Sequence, residues 1–243
     1  MADPIERSNQ QIRSLLVDSI SPPLAPDHQR LPLSAFPFHT RAECYHCAAN
    51  HPELRRSFPA SSSGSLPTQT EAAFAERAEG LGLPSAFVRS DDYQYRATRL
   101  QLVNSARSMT MDGTPAVREM RLGRMPLEDV GDVLFYHYPT TWNHWLVDHA
   151  LSFRALPVSP TETEIVTTWL VPIEAREGVD YDLQTLTEVW EATNQQDLEL
   201  VEAVQLGVSS PAFTPGPYSP KHEEGVIDFI DWYEHSIRRH AAH

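Results

Sequence analysis

Short β-rich segments fill residues 93–170 of this chain, and a long helical pattern follows them. The β-rich runs cover residues 99–103, 133–138, 150–156 and 164–170. Asp182 is a residue type that caps helices, and apolar residues recur every three or four positions from there to about Val208. A second helical pattern spans residues 223–239. This order predicts an α+β fold, in which an antiparallel β-sheet carries a long C-terminal helix across one face.

The composition limits the classes of function open to the chain. Its 19 Lys and Arg residues against 33 Asp and Glu residues give a formal charge of −14, which argues against binding to a nucleic-acid backbone. An apolar content of 41% over 243 residues is enough for a core. The sequence has neither a signal-peptide pattern nor a transmembrane stretch. We therefore expect a cytoplasmic protein that binds neither nucleic acid nor membrane.

The first 38 residues differ in pattern from the rest. Residues 5–20 predict a short amphipathic helix, and repeated prolines forbid regular helix through residues 22–38. We therefore divide the chain into an N-terminal helix with a Pro-rich connector, residues 1–38, and one domain over residues 39–243.

A carboxylate interrupts the apolar stripe of the long predicted helix. Steps of three or four residues place Asp197 on the same face as Trp190 and Val201. An unpaired carboxylate in that position is strongly unfavourable. We expect Asp197 to be protonated, hydrogen-bonded, paired with a cation or bound to a metal ion.

Two histidines lie close together in the segment 43–52. Neutral imidazoles are the commonest ligands of divalent transition metals. On a regular helix His46 and His51 would point about 140° apart, but Pro52 pushes His51 out of the helical conformation and lets it turn back. Glu43 shares a face with His46 and is predicted to interact with that ring.

Two histidines with one distant carboxylate form the ligand set that holds non-haem Fe(II) and leaves positions open for dioxygen. Zinc is the main competitor. Cys44 and Cys47 form a Cys-x-x-Cys pair, but a structural zinc site usually needs a second such pair, and the sequence has only two cysteines. We therefore predict buried thiols that bind no metal.

His144 and His149 repeat the same five-residue step in a β-rich stretch. An odd step along a strand directs two side chains to opposite faces of a sheet. For this pair we predict a structural or pocket role.

Several motifs together resemble the catalytic domain of Rieske-type non-haem iron oxygenase α subunits. They are the histidine segment 43–52 and the segment 194–197, which ends at Asp197. Motifs similar to the subgroup acting on N-methylated ammonium compounds lie at residues 121–124, 136–139, 142–144, 148–154 and 178–183. Within that subgroup the chain most resembles glycine betaine monooxygenases and stachydrine (proline betaine) demethylases, over roughly residues 43–235.

The resemblance implies a helix-grip, START-like domain in which His46, His51 and Asp197 hold Fe(II). It also implies that Glu43 links this iron to the Rieske cluster of a neighbouring subunit in a homotrimer. Dioxygen would be the oxidant, and NAD(P)H would supply electrons through a separate reductase.

The family carries an N-terminal Rieske domain whose [2Fe–2S] cluster needs Cys-x-His and a later Cys-x-x-His, whereas this sequence has no cysteine before Cys44 in the iron-ligand segment. We therefore expect the chain to correspond to a C-terminal half, from a truncated or split gene product, with the cluster supplied in trans by a Rieske domain or subunit.

The activity implied by the resemblance is hydroxylation of an N-methyl group of glycine betaine or proline betaine, followed by release of formaldehyde. Two alternatives stay open: a ligand-binding module of the same fold without turnover, and an oxygenase that hydroxylates aromatic rings. Aromatic faces commonly bind quaternary ammonium groups. The substrate-binding residues predicted in the strands are Tyr136, Tyr138, Trp142 and Trp169.

Overall fold

A computed structural model of the chain describes residues 27–29, 46–59, 68–119, 121–123, 125, 129–159, 162–220 and 222–241. The helical elements are α1 (Cys47–Asn50), a short 3-10 helix (Leu54–Arg56), α2 (Thr68–Gly80), α3 (Leu183–Val208) and α4 (Glu224–Ala241). The strands are β1 (Asp27–Gln29), β2 (Val88–Arg89), β3 (Tyr95–Leu100), β4 (Asp132–His137), β5 (Thr141–Trp145), β6 (Ala150–Ser159) and β7 (Glu162–Leu170). The helix predicted over residues 5–20 lies outside the described residues.

The seven strands form one antiparallel sheet in the order β1-β7-β6-β5-β4-β3-β2. Side-chain alternation separates its two faces: Tyr136 and Trp142 belong to the main core, whereas Phe135 and Trp145 stack on the opposite face. Residues 27–29, inside the segment predicted as a connector, pair with β7. The predicted α+β class is confirmed.

Helix α3 crosses the core face of the sheet. Its predicted N-cap is confirmed, since the carboxylate of Asp182 accepts the backbone N–H of Thr185 at 2.9 Å. Asn194 Nδ2 donates to Thr167 Oγ1 on β7 at 3.0 Å, and the ring of Trp190 lies 5.0 Å from that of Phe153 on β6. These contacts hold α3 over β6 and β7, and they fix which of its residues face the sheet.

Helix α4 is attached to the other end of the sheet through a buried carboxylate. Asp228 accepts hydrogen bonds from Arg89 on β2 at 2.8 Å and from Arg96 on β3 at 3.1 Å. Tyr138, just after β4, packs against Phe229 of α4 at 5.9 Å, and burial raises the pKa of its hydroxyl.

None of the helices in the described ranges has the length and apolar character that a membrane span requires.

Candidate metal centre

His46 and His51 are brought together by the end of α1. His46 occupies the N-cap position of this one-turn helix, and His51 follows its last residue with a non-helical φ of −116° and ψ of 69°. The residue before a proline avoids the helical region, so Pro52 sets this bend. As a result the two ring centroids lie 5.0 Å apart with their planes at 82°. The turn predicted from Pro52 is present.

Asp197 reaches both histidines from α3. Its Oδ1 lies 3.3 Å from His46 Nε2 and 3.1 Å from His51 Nε2. All three side chains are nearly enclosed, with exposures of 10% for His46, 2% for His51 and 10% for Asp197. The carboxylate of Asp197 therefore contacts two imidazoles that lie about 150 residues earlier in the sequence.

The spacing of these atoms suits one transition-metal ion. Two ligand atoms in adjacent coordination positions, each about 2.1 Å from a divalent ion, lie about 3 Å from one another. The 3.3 Å and 3.1 Å separations of the two Nε2 atoms from Asp197 Oδ1 match this value. The donor set of two imidazoles and one carboxylate fits ferrous iron.

Gln196 and Glu53 support His51, and the sequence analysis missed both. His51 Nδ1 lies 2.8 Å from Gln196 Oε1, and Gln196 Nε2 donates to Glu53 Oε2 at 2.7 Å. The hydrogen bond from Gln196 holds the pKa of Glu53 below its ordinary value. The only sequence signal for these two residues is their position: Gln196 is adjacent to Asp197, and Glu53 lies two residues after His51.

Cys47 lies beside the candidate centre. Its Sγ is 4.0 Å from His46 Nε2, and the ligand atoms of His46, Cys47 and His51 all lie within 4.8 Å of one another. The prediction of a buried thiol is confirmed for Cys47, but its closeness to the histidines was not foreseen. Cys44 and Glu43 lie outside the described residues.

The four aromatic residues predicted to bind substrate are all buried in the main core. Trp142 stacks on Phe153 at 5.1 Å, with an angle of 5° between the ring planes. The guanidinium of Arg96 lies 4.6 Å from the centroid of Tyr136. Trp169 Nε1 is buried and has no hydrogen-bond partner among the described residues. Tyr138 differs from the other three residues because its ring packs against α4.

His144 and His149 contact separate carboxylates. His144 Nδ1 lies 2.6 Å from Asp132 Oδ2, and His149 Nδ1 lies 3.2 Å from Asp148 Oδ2. Strand β5 ends at Trp145, so His149 is not on the same strand as His144. Sequence reasoning did not identify either carboxylate partner.

A comparison with known protein families assigns this chain to a family. Residues 36–238 match the family described as the ring hydroxylating alpha subunit, catalytic domain. The chain belongs to this ring-hydroxylating α-subunit family. Membership confirms the family resemblance drawn from the sequence.

Among ring-hydroxylating α subunits, two glycine betaine monooxygenase oxygenase subunits are similar in sequence. That of Chromohalobacter salexigens is 41% identical over 201 residues, covering 80% of this chain and 45% of the relative. That of Pseudomonas aeruginosa is 41% identical over 197 residues, covering 79% of this chain and 46% of the relative. The chain thus spans a little less than half the length of these curated relatives.

Solved structures of the quaternary ammonium Rieske monooxygenase CntA share the fold. The complex with an inhibitor matches with a TM-score of 0.57 at 15% identity, covering 98% of this chain and 56% of that chain. The complex with L-carnitine matches with a TM-score of 0.54 at 14% identity, covering 97% of this chain and 55% of that chain.

Proposed function

We propose that this chain is the iron-bearing catalytic part of a Rieske-type monooxygenase that hydroxylates an N-methyl group of a quaternary ammonium compound such as glycine betaine or proline betaine. The observation that carries the proposal is the approach of His46 Nε2 and His51 Nε2 to the same oxygen of Asp197, at 3.3 Å and 3.1 Å. The similarity to glycine betaine monooxygenase subunits supports the substrate class.

His46, His51 and Asp197 would hold the iron. Ferrous iron bound there would supply the activation of dioxygen. The protein's own residues bind and orient: Gln196 keeps the proton of His51 on Nδ1 and so leaves Nε2 as the ligand atom. The enclosure of the three side chains keeps water away from the reacting groups.

The chemistry at the substrate balances as follows. One N-methyl C–H bond, one dioxygen molecule, two electrons and two protons give an N-hydroxymethyl group and one water. The N-hydroxymethyl adduct then loses its hydroxyl proton and breaks its C–N bond, and the bonding pair returns to nitrogen, which releases formaldehyde, one proton and the demethylated amine. The aromatic residues Tyr136, Trp142 and Trp169 of the core face would attract the ammonium group.

The electrons would come from outside this chain. We propose a Rieske domain or subunit acting in trans, reduced by NAD(P)H through a separate reductase. Glu43 would connect that cluster to the iron across a homotrimer interface. In this scheme residues 39–243 form the catalytic domain, and residues 27–29 of the preceding segment 1–38 add an edge strand to its sheet.

Metal content and product formation test the proposal. Purified anaerobically with Fe(II), the chain should hold close to one iron, and His46→Ala should lose it, whereas His240→Ala on the exposed end of α4 should keep it. With a Rieske donor, a reductase and dioxygen, glycine betaine should yield formaldehyde. A protein that stays free of iron would favour the ligand-binding module, and turnover of aromatic acids alone would favour ring hydroxylation.

Zinc is the competing metal, because the thiol of Cys47 lies within 4.8 Å of both histidine ligand atoms. The variant Cys47→Ser separates the two metals. Iron binding through His46, His51 and Asp197 should survive it, whereas a zinc site that uses the thiolate should lose affinity.

A further inference from the structure

The pair formed by His144 and Asp132 lies in the core, and the proposed function assigns it no role. Asp132 Oδ2 accepts from His144 Nδ1 at 2.6 Å, and its Oδ1 accepts the backbone N–H of Trp145 at 3.0 Å. With its proton on Nδ1, the ring offers only Nε2 to a further partner. Within the part of the chain that the structure describes, Nε2 forms no hydrogen bond. Polar atoms in nearly enclosed positions usually have a partner, so a ligand or a water is expected at this slightly exposed side chain.

The His144 ring faces α3 among aromatic side chains. Its centroid lies 4.7 Å from that of Trp190, 5.8 Å from that of Phe58 and 6.1 Å from that of Phe153. These neighbours carry no charge and provide few polar groups. A charged hydrogen bond made at Nε2 is therefore weakly screened and correspondingly strong.

The side chain of His144 is nearly enclosed. His144 exposes 6% of its side chain, whereas the side chains of His149 and Asp148 expose none. Of the two buried histidine–carboxylate pairs, that of His144 is therefore the less completely enclosed.

Two contacts show which part of α3 lies over His144 on β5. Trp190 touches His144, and Asn194, one turn further along, bonds Thr167. Thr167 stands in the same row of the sheet as Phe153 and Trp142.

Asp197 follows on the same face of α3, seven residues beyond Trp190, which is about 10 Å along a helix axis. A molecule lying under α3 would meet first the imidazole of His144, then the Trp142 row of aromatic rings, then the level of Asp197. The order of these three groups is fixed by the strand register and the helix.

We propose that His144, held by Asp132, binds the carboxylate of the substrate. This inference rests on the proposed function, and it extends that function from a quaternary ammonium group to a zwitterion. A betaine carries its carboxylate, its ammonium group and its N-methyl carbon in the same order as the imidazole, the aromatic row and Asp197. The imidazolium form has a proton on each ring nitrogen, so Nδ1–H donates to Asp132 and Nε2–H donates a charge-assisted hydrogen bond to the substrate.

The negative charge of Asp132 has a cationic side chain near it. Arg99 is the other charged group near Asp132; it donates to the carbonyl oxygens of Pro84 at 3.0 Å and Val130 at 2.8 Å. Burial lowers the pKa of Arg99 to about 10, so it is still a cation at neutral pH and balances Asp132. Phe58, Phe153 and Trp190, the neighbours from the other packed elements, do not titrate. The charges of Asp132 and Arg99 thus oppose each other, and these three neighbours of His144 add no charge that would repel a substrate carboxylate.

Binding measurements with two ligands test the inference. The probes are glycine betaine and choline, which share the trimethylammonium group, but choline has a hydroxyl in place of the carboxylate. Titration calorimetry of the iron-loaded protein should show tighter binding of glycine betaine. His144→Gln should weaken glycine betaine by about tenfold or more and leave choline unchanged, because one charge-assisted hydrogen bond is lost. Asp132→Asn should act in the same direction.

His149→Gln is the matched control, since it removes the other buried histidine–carboxylate contact. We expect it to lower stability while keeping the preference for glycine betaine.

The outcomes separate this inference from the proposed function. If wild type binds glycine betaine and releases formaldehyde, but His144→Gln keeps the ligand preference, the carboxylate site is overturned and the enzyme assignment stands. Equal weakening of both ligands by a His144→Gln protein that melts like wild type would also overturn it, because His144 would then not distinguish the carboxylate from the hydroxyl. A wild-type protein with iron that binds neither ligand would contradict the proposed substrate class itself.

Discussion

The imidazole of His51 and the amide of Gln196 meet at 2.8 Å, between Nδ1 and Oε1. Gln196 immediately precedes Asp197, and its Nε2 is occupied by Glu53 at 2.7 Å. Because the amide nitrogen faces Glu53, the amide oxygen faces His51 and the ring proton belongs on Nδ1. Two adjacent residues of α3 thus have complementary roles: Asp197 is a candidate metal ligand, and Gln196 orients a second one, His51.

Loss of the Gln196 amide should weaken metal binding. We expect Gln196→Leu to lower the affinity for Fe(II), or for Co(II) as a stable substitute, by about 10- to 100-fold, because the His51 ring loses the acceptor that fixes it. A chelator competition titration measures this affinity. The control is Gln195→Leu, whose amide bonds exposed Glu199 and should leave the affinity unchanged. Equal affinities for the two variants would contradict the role of Gln196.

Asp148 should be critical for stability. Its carboxylate accepts from Ser108 Oγ at 2.7 Å and from the backbone N–H of Ala116 at 2.6 Å and Val117 at 3.2 Å, and it lies 3.2 Å from His149 Nδ1. Asp148→Ala leaves these buried donors without an acceptor, so we expect a loss of about 3 to 5 kcal/mol in the free energy of unfolding. Urea unfolding at neutral pH provides the measurement.

The same carboxylate should contribute to acid sensitivity. Burial acts to raise the pKa of Asp148, but His149 and the hydrogen bonds from Ser108 and Val117 outweigh it and hold the pKa below its ordinary value. A group whose pKa is lowered on folding stabilises the protein above its unfolded pKa of about 3.9, and this contribution is lost as the pH falls through the folded value. The fall in unfolding free energy below about pH 4 should be shallower in Asp148→Ala than in wild type. Parallel curves would contradict this.

Gly131 should tolerate no side chain. Its φ is +67°, and an added Cβ would overlap the carbonyl oxygen of Leu100 and lie 2.7 Å from Phe74 Cζ. We expect Gly131→Ala to cost about 3 kcal/mol or more in unfolding free energy, from backbone strain and the clash together. Gly178→Ala has a similar φ of +74° with nothing within 4 Å, so it isolates the strain. Thermal melts of the two variants should differ clearly, and equal melting temperatures would refute the clash.

Asp228 should secure α4. Its removal in Asp228→Ala leaves Arg96, whose side chain is 13% exposed, without its carboxylate, and we expect a loss of about 3 to 5 kcal/mol. Glu234→Ala on the same helix breaks an exposed pair with Arg238 and should cost less than about 1 kcal/mol. Urea unfolding compares them, and similar losses would show that burial of the Asp228 pair is unimportant.

Local patterns were sufficient for much of the fold. The cap at Asp182 and the period of α3 are properties of consecutive residues, and the structure reproduces them. The bend before Pro52 is equally local, since the proline ring alone restricts His51. The burial of Asp197 followed from its place in an apolar stripe.

Partners distant in sequence could not be found this way. Glu53 and Gln196 are separated by 143 residues, and Asp132 and His144 face each other only because β4 and β5 pair in one register. Periodicity fixes the face on which a side chain lies, but a hydrogen bond depends on the register of strands and the placement of a helix over them. The sequence by itself therefore determined the elements, the buried acid and the bent histidine segment. Only the tertiary structure decided which carboxylate meets which imidazole, because that choice is made by packing between elements and not within them.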